Sequence, residues 1–208
     1  MAKGRKGLES ITLGELQERI CAPVVDCGGG TSILVAASMG TSLAYMALKM
    51  TLRHHPELWK GWSERGDRLY AAAQRFLELA HLENTSQEGL RSLGEREVEK
   101  GPEEREWQQA RSRAWREGVQ IAMVSAQLCA DMLRIMEELT LCAERESYFH
   151  LLSGANLVWG GLSGLLYALR QYLRSCSKEP AWSQDVEELE RWGRRWHRLI
   201  GGRMEAAL

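Results

Sequence analysis

The chain predicts an all-α fold, an antiparallel multi-helix bundle forming a single domain over residues 1–208. Three observations predict it. Apolar residues recur at three- and four-residue spacing along most of the length, and no segment shows the two-residue alternation of a half-buried strand. The four prolines, at 23, 56, 102 and 180, fall where that periodicity breaks and read as helix boundaries. Ala36, Gly40 and Ala44 lie four apart on one stripe, which lets a neighbouring helix approach closely. No internal repeat of 20–50 residues is visible.

Each element has its own signal. Thr12-Leu-Gly-Glu15 is a capping box, so a short first helix runs from there to about Ala22. A second helix spans Thr31 to Leu52, and Pro56 opens a third that ends near Leu82. Asn84 to Pro102, rich in Gly, Ser and Glu, reads as a flexible connection with little core. Glu103 to Glu146 is long and periodic, with a kink expected near Gly118. Ser147 to Ser175 holds a Gly-rich apolar helix, and Trp182 to Ala207 a final amphipathic one.

Composition removes several function classes. Lys plus Arg number 27 against 28 Asp plus Glu, so no overall charge draws the chain to nucleic acid or an anionic membrane. The run from Ile33 to Leu52 is broken by Ser38, Gly40, Thr41, Ser42 and Lys49, and is expected to pack on helices rather than lipid. No signal peptide is expected either, because Glu9-Ser10 stands where its apolar core belongs, and a cytoplasmic location follows. The five cysteines, at 21, 27, 129, 142 and 176, show neither a disulfide framework nor zinc-ligand spacing. No metal site is expected.

The most informative stretch is Cys27-Gly-Gly-Gly-Thr-Ser32 at the head of the second helix. It is not a P-loop, since no lysine precedes Thr31 and Ser32, and it does not fit a GxGxxG pattern. Two readings stay open. Gly28, Gly29 and Gly30 with the Thr31 and Ser32 hydroxyls form an anion- or heterocycle-binding helix start. Alternatively, the glycines let the loop cross a neighbouring helix, with Thr31 as N-cap and Cys27 as a small packed residue.

The opening segment, Thr12-Leu-x-Glu15-Leu followed by Gly-Gly-Gly-Thr-Ser and AASMGTSLAYMALKMT over 36–51, resembles the cyclodeaminase/cyclohydrolase family. Weaker matches follow at Ala110, Ala114, Gly118-Val119 and the Gly-rich stretch from Gly160 to Leu173. The resemblance implies an all-helical homodimer that acts on folate one-carbon units, either eliminating ammonia from formiminotetrahydrofolate or hydrolysing a methenyl bridge. It implies a tetrahydrofolate derivative as substrate or ligand, with no separate cofactor, and a folate pocket lined by residues 28–32.

The catalytic pattern is incomplete. The resemblance calls for an aspartate on the third helix, and Phe76 occupies its place. A two-residue slip offers Glu78 as acid/base, although it turns the helix by about 200°; otherwise Glu78 is a solvated surface carboxylate. Beyond the second helix, Arg53-His54-His55 supplies His54 as a second acid/base candidate and Arg53 as a partner for a glutamate carboxylate. The same residues also complement a helix C-terminus. The Ser-Asp pair that the family carries before its late helix is missing from 146–154. Two functions are therefore expected to compete: a cyclohydrolase or cyclodeaminase, and a catalytically inactive homologue that binds a ligand or builds an assembly.

Overall fold

A computed structural model describes residues 12–21, 29–94, 102–175 and 182–207. Within them the chain forms α1 (Leu13–Cys21), α2 (Gly29–His54), a single 3-10 turn (Pro56–Leu58), α3 (Trp59–Gly94), α4 (Pro102–Leu139), α5 (Arg145–Ser175) and α6 (Ser183–Ala207). No strand occurs among the described residues, and the all-α expectation holds. Pro23, Cys27, Gly28, Cys176 and Pro180 lie outside the described residues.

The capping box forms as expected. The Glu15 amide donates to Thr12 Oγ1 at 3.1 Å, and the Thr12 amide donates to Glu15 Oε2 at 2.7 Å. Both bonds satisfy amides that the first turn of α1 leaves open.

At the centre stands α2, packed on α3 along one side and α5 along another. Ser38 Oγ donates to the Ala73 carbonyl at 2.8 Å, and a Cβ on Gly66 would sit 3.3 Å from Leu48. Those pairs run in opposite senses along the two helices, so α3 is antiparallel to α2. The small-residue stripe receives α5: a Cβ on Gly40 would lie 2.6 Å from the Gly154 carbonyl oxygen and 2.8 Å from Leu157 Cβ. Only glycine permits the backbones to meet that closely. Nearer the far end of α2, Thr51 and Ser147 share a buried hydroxyl contact at 3.1 Å.

Two sequence expectations change. The third helix continues well past Leu82 to Gly94, because Ser86 bonds the Ala114 carbonyl at 3.4 Å and Trp107 Nε1 bonds the Leu93 carbonyl at 2.7 Å. Tertiary bonds to α4 thus extend a helix whose Gly and Ser content argues locally for a loop. No break interrupts α4 at Gly118, which is buried beneath Ser86 and the Tyr172 hydroxyl. Length and composition would let α2, α4 and α5 each cross a membrane, with roughly half of each apolar window buried inside the fold.

Beyond α4 and α5, α6 closes the bundle. Trp196 is buried and its indole N–H donates to the Leu133 carbonyl at 3.2 Å, satisfying its one polar atom. Trp159 stacks on it at 6.0 Å. Arg191, Arg194, Arg195 and Arg198 occupy the outer face of α6 in solvent.

Candidate functional site

The glycine-rich start of α2 faces into the protein. Gly29 is exposed, and a Cβ there would meet nothing within 4 Å. Gly30 is different: a Cβ would lie 2.5 Å from Glu83 Oε1 and 2.8 Å from Glu83 Cδ. The side chain it lacks is the space that the Glu83 carboxyl occupies. Thr31 is fully buried, and its hydroxyl and backbone amide both donate to Glu83. No described glycine has a positive φ, so steric room rather than a left-handed turn explains Gly30.

Electrostatics gives the arrangement its logic. The first turn of α2 carries no acidic residue of its own. Glu83 brings a carboxyl to this point from α3, where the α2 dipole and open amides favour its ionised form. Burial pushes its carboxyl above the usual glutamate range, against hydrogen bonds from Thr31 Oγ1, the Gln87 side chain and the Thr31 amide that pull it down. Gln87 also hydrogen-bonds Tyr172 of α5, whose phenol is raised by burial and then by the Glu83 charge. The Tyr172 ring meets Trp115 edge-on at 5.3 Å.

Beside this network lies a groove of about 390 Å³ between α3 and α4, lined in part by Leu82, Ser86, Gly89, Ala114 and Glu117. That volume falls within the range of small-molecule sites, roughly 300–1,000 Å³. Gly118 links the groove to the network, since a Cβ there would sit 3.6 Å from Ser86 Oγ and 3.9 Å from the Tyr172 hydroxyl. Thr31, Glu83, Gln87 and Tyr172 form one polar chain from the head of α2 to Tyr172 of α5, which lies across Gly118 from Ser86 of the groove.

The sequence-derived site residues are not all brought together. Gly29, Gly30, Thr31 and Ser32 stand at this end; Gly28 lies outside the described residues. Arg53 and His54 are exposed at the opposite end of α2, about 33 Å away at ~1.5 Å per residue. They cannot share a pocket with the loop within one copy of the chain. Glu78 points to solvent and pairs with Arg75 on its own helix at 2.6 Å, the solvated-carboxylate alternative. Phe76 is fully buried in the core. Ser86 bonds Ala114 and Arg65 bonds Glu138, which sets residues near 76 on α3 level with residues near 125 on α4. The Ser125 hydroxyl is buried with no hydrogen-bond partner.

Sequence reasoning missed Glu83, Gln87 and Tyr172. Ending the third helix at Leu82 hid the signal, because Glu83 becomes notable only once the helix continues. It then lies about two turns beyond Phe76 on the same face. At the other end, His55 faces Glu144 at 3.0 Å and Glu57 at 3.2 Å, and both carboxylates raise its pKa. No cluster of three or more His, Cys, Asp or Glu suited to a metal occurs among the described residues. Buried Cys129 has its thiol pushed far up by burial and is held unreactive.

Fold and site together define a class: an all-helical bundle whose central helix opens on glycines against a half-buried carboxyl. The family model described as formiminotransferase-cyclodeaminase matches residues 12–190, and the chain belongs to that family. Among solved structures, the crystal structure of formiminotetrahydrofolate cyclodeaminase from Thermotoga maritima superposes with a TM-score of 0.76. It covers 94% of this chain and 98% of its own at 16% identity, a likeness of fold. No curated protein sequence matches the chain.

Proposed function

We propose that the chain binds a reduced folate where the start of α2 meets the last turns of α3, and acts there as a formiminotetrahydrofolate cyclodeaminase or a methenyltetrahydrofolate cyclohydrolase. One observation carries this reading. In a member of this family, a titratable carboxyl stands half-buried against the glycine-rich helix start, on the turn of α3 whose Leu82 and Ser86 line a groove of ligand size. Both reactions move protons at nitrogen and water, so both need an acid/base group within hydrogen-bond reach of the substrate. The name of the Thermotoga protein supports the substrate class.

A second reading has its own support. Phe76 fills the position expected for an aspartate and is wholly within the core, which favours an inactive homologue that binds a ligand or forms an assembly. Calorimetric titration with tetrahydrofolate and its formimino and methenyl derivatives, followed by assays for ammonia release and loss of methenyl absorbance, separates the two. Saturable binding with turnover supports the enzyme. Binding without turnover supports an inactive homologue that has kept the folate pocket, and no binding of any reduced folate rejects the enzyme and favours an inactive homologue with another ligand or an assembly role. A homodimer belongs to the same proposal, with exposed Met39 and Met46 of α2 and Leu157 and Tyr167 of α5 as its apolar contact face. Light scattering that gives a monomer at micromolar concentration rejects that part.

A further inference from the structure

We infer that Glu83 is the proton-transfer residue of this chain, presented by Thr31, Gln87 and Tyr172 from three helices, in place of an acid at the position Phe76 fills. The inference rests on the folate reading above and assigns the residue that would do its chemistry.

Geometry comes first. Glu83 sits where α2 meets α3, next in sequence to Leu82 of the groove wall, and three separate features fix its carboxyl: the space at Gly30, the paired donors of Thr31, and the Gln87 amide. Such fixing from several sides is what a proton-transfer group needs, because misorientation alone removes orders of magnitude in rate. Among the described residues, the groups facing it are Thr31 from α2, Gln87 from α3 and Tyr172 from α5, and Glu117 of α4 lines the nearby groove. None of these four is a cation. With burial and no positive neighbour among them, the carboxyl keeps its proton to higher pH than a solvated glutamate does. Glu78, by contrast, is exposed and tied to Arg75.

The chemistry balances with this one group. In the cyclodeaminase reaction the Glu83 carboxyl gives its proton to the imino nitrogen while the neighbouring substrate amine attacks the formimino carbon. The carboxylate takes the proton which that amine loses. The carbon is now a tetrahedral aminal bearing an amino group. Glu83 protonates that group, the carbon–nitrogen bond breaks, and ammonia departs, leaving the cyclic methenyl cation and a carboxylate. One proton from solvent restores the acid, and nothing is oxidised or reduced.

The test uses the full chain with formiminotetrahydrofolate, reading ammonia release and substrate affinity across pH. Glu83→Gln keeps the size and an acceptor oxygen for Thr31, and is expected to lower turnover by about 10²–10⁴-fold with affinity little changed. The native protein should lose turnover as pH rises through a pKa above the ordinary glutamate range. Glu83→Asp, which keeps a carboxyl, should retain that pH limb and exceed Glu83→Gln in rate; it serves if Glu83→Gln proves unfolded by circular dichroism. Equal rates for native protein and a folded Glu83→Gln, a native profile without the limb, or folate binding without native turnover would each overturn the assignment. Failure of every reduced folate to bind overturns the folate reading instead.

Discussion

Replacing Phe76 with Asp, the substitution that would restore the acid expected from family resemblance, is predicted to unfold the protein rather than activate it. Phe76 has 0% of its surface exposed and belongs to the continuous core shared by α2, α3, α4 and α5. Removing a buried phenyl ring costs about 3–5 kcal/mol through lost transfer energy and the cavity left behind. The new carboxyl adds a desolvation cost of at least ~1–3 kcal/mol even when protonated. At that level of α4 the buried Ser125 hydroxyl is a single neutral group, too little to solvate a charge. The sum, about 4–8 kcal/mol, rivals the ~5–15 kcal/mol that stabilises an ordinary domain. At roughly 2–4 °C per kcal/mol for a chain of this size, the melting temperature should fall by about 10–30 °C. The destabilisation should deepen as pH rises and the buried carboxyl is driven to ionise. Urea and thermal denaturation followed by far-ultraviolet circular dichroism measure it, with Phe76→Leu as a mild control at roughly 1–2 kcal/mol. A Phe76→Asp protein that melts with the native one and gains turnover would show that this position opens on substrate space, refuting the argument from burial.

The other predictions concern the helix ends and crossings. Gly30→Ala should push the Glu83 carboxyl off Thr31, since the new Cβ starts 2.5 Å from Oε1, and cost about 0.5–1.5 kcal/mol for each hydrogen bond lost in a urea melt. Gly29→Ala, with nothing within 4 Å, should stay within about 0.5 kcal/mol of native. Gly154→Ala brings a Cβ to 3.2 Å from the Ala44 amide nitrogen and against the Gly40 carbonyl, so α2 and α5 must separate. A loss of about 1–3 kcal/mol or more is expected, and an unchanged melting temperature would mean the helices have slack there. His55 has its pKa raised by Glu144 and Glu57, so its contribution to stability is complete below the unfolded value of 6.5 and is lost as pH rises through the higher folded value. Urea midpoints taken across roughly pH 5–9 should show that loss in the native protein and its absence in His55→Gln.

Much of the fold was legible in the sequence because helix periodicity, capping and proline placement are local signals. Thr12 and Glu15 cap α1 as their spacing requires, and Gly40 receives α5 as a small-residue stripe should. The site was legible only in outline. The glycine loop was readable as a feature, yet its two explanations could not be separated by residues 28–32 alone, because the deciding group lies 52 residues from Thr31.

What the sequence by itself determined is the helical class, the approximate elements and the conflict between a retained glycine loop and a missing acid at Phe76. What only tertiary structure decided is where each polar side chain points. Local propensity ends α3 at Leu82, but the bonds that Ser86 gives to Ala114 of α4 and that Trp107 of α4 gives to Leu93 outweigh it and carry Glu83 round to the head of α2. There its carboxyl meets the open amides of another helix, and burial raises its affinity for a proton. Neither the helix dipole it meets nor the water it loses is a property of residues near it in sequence; both exist only once distant segments are packed together.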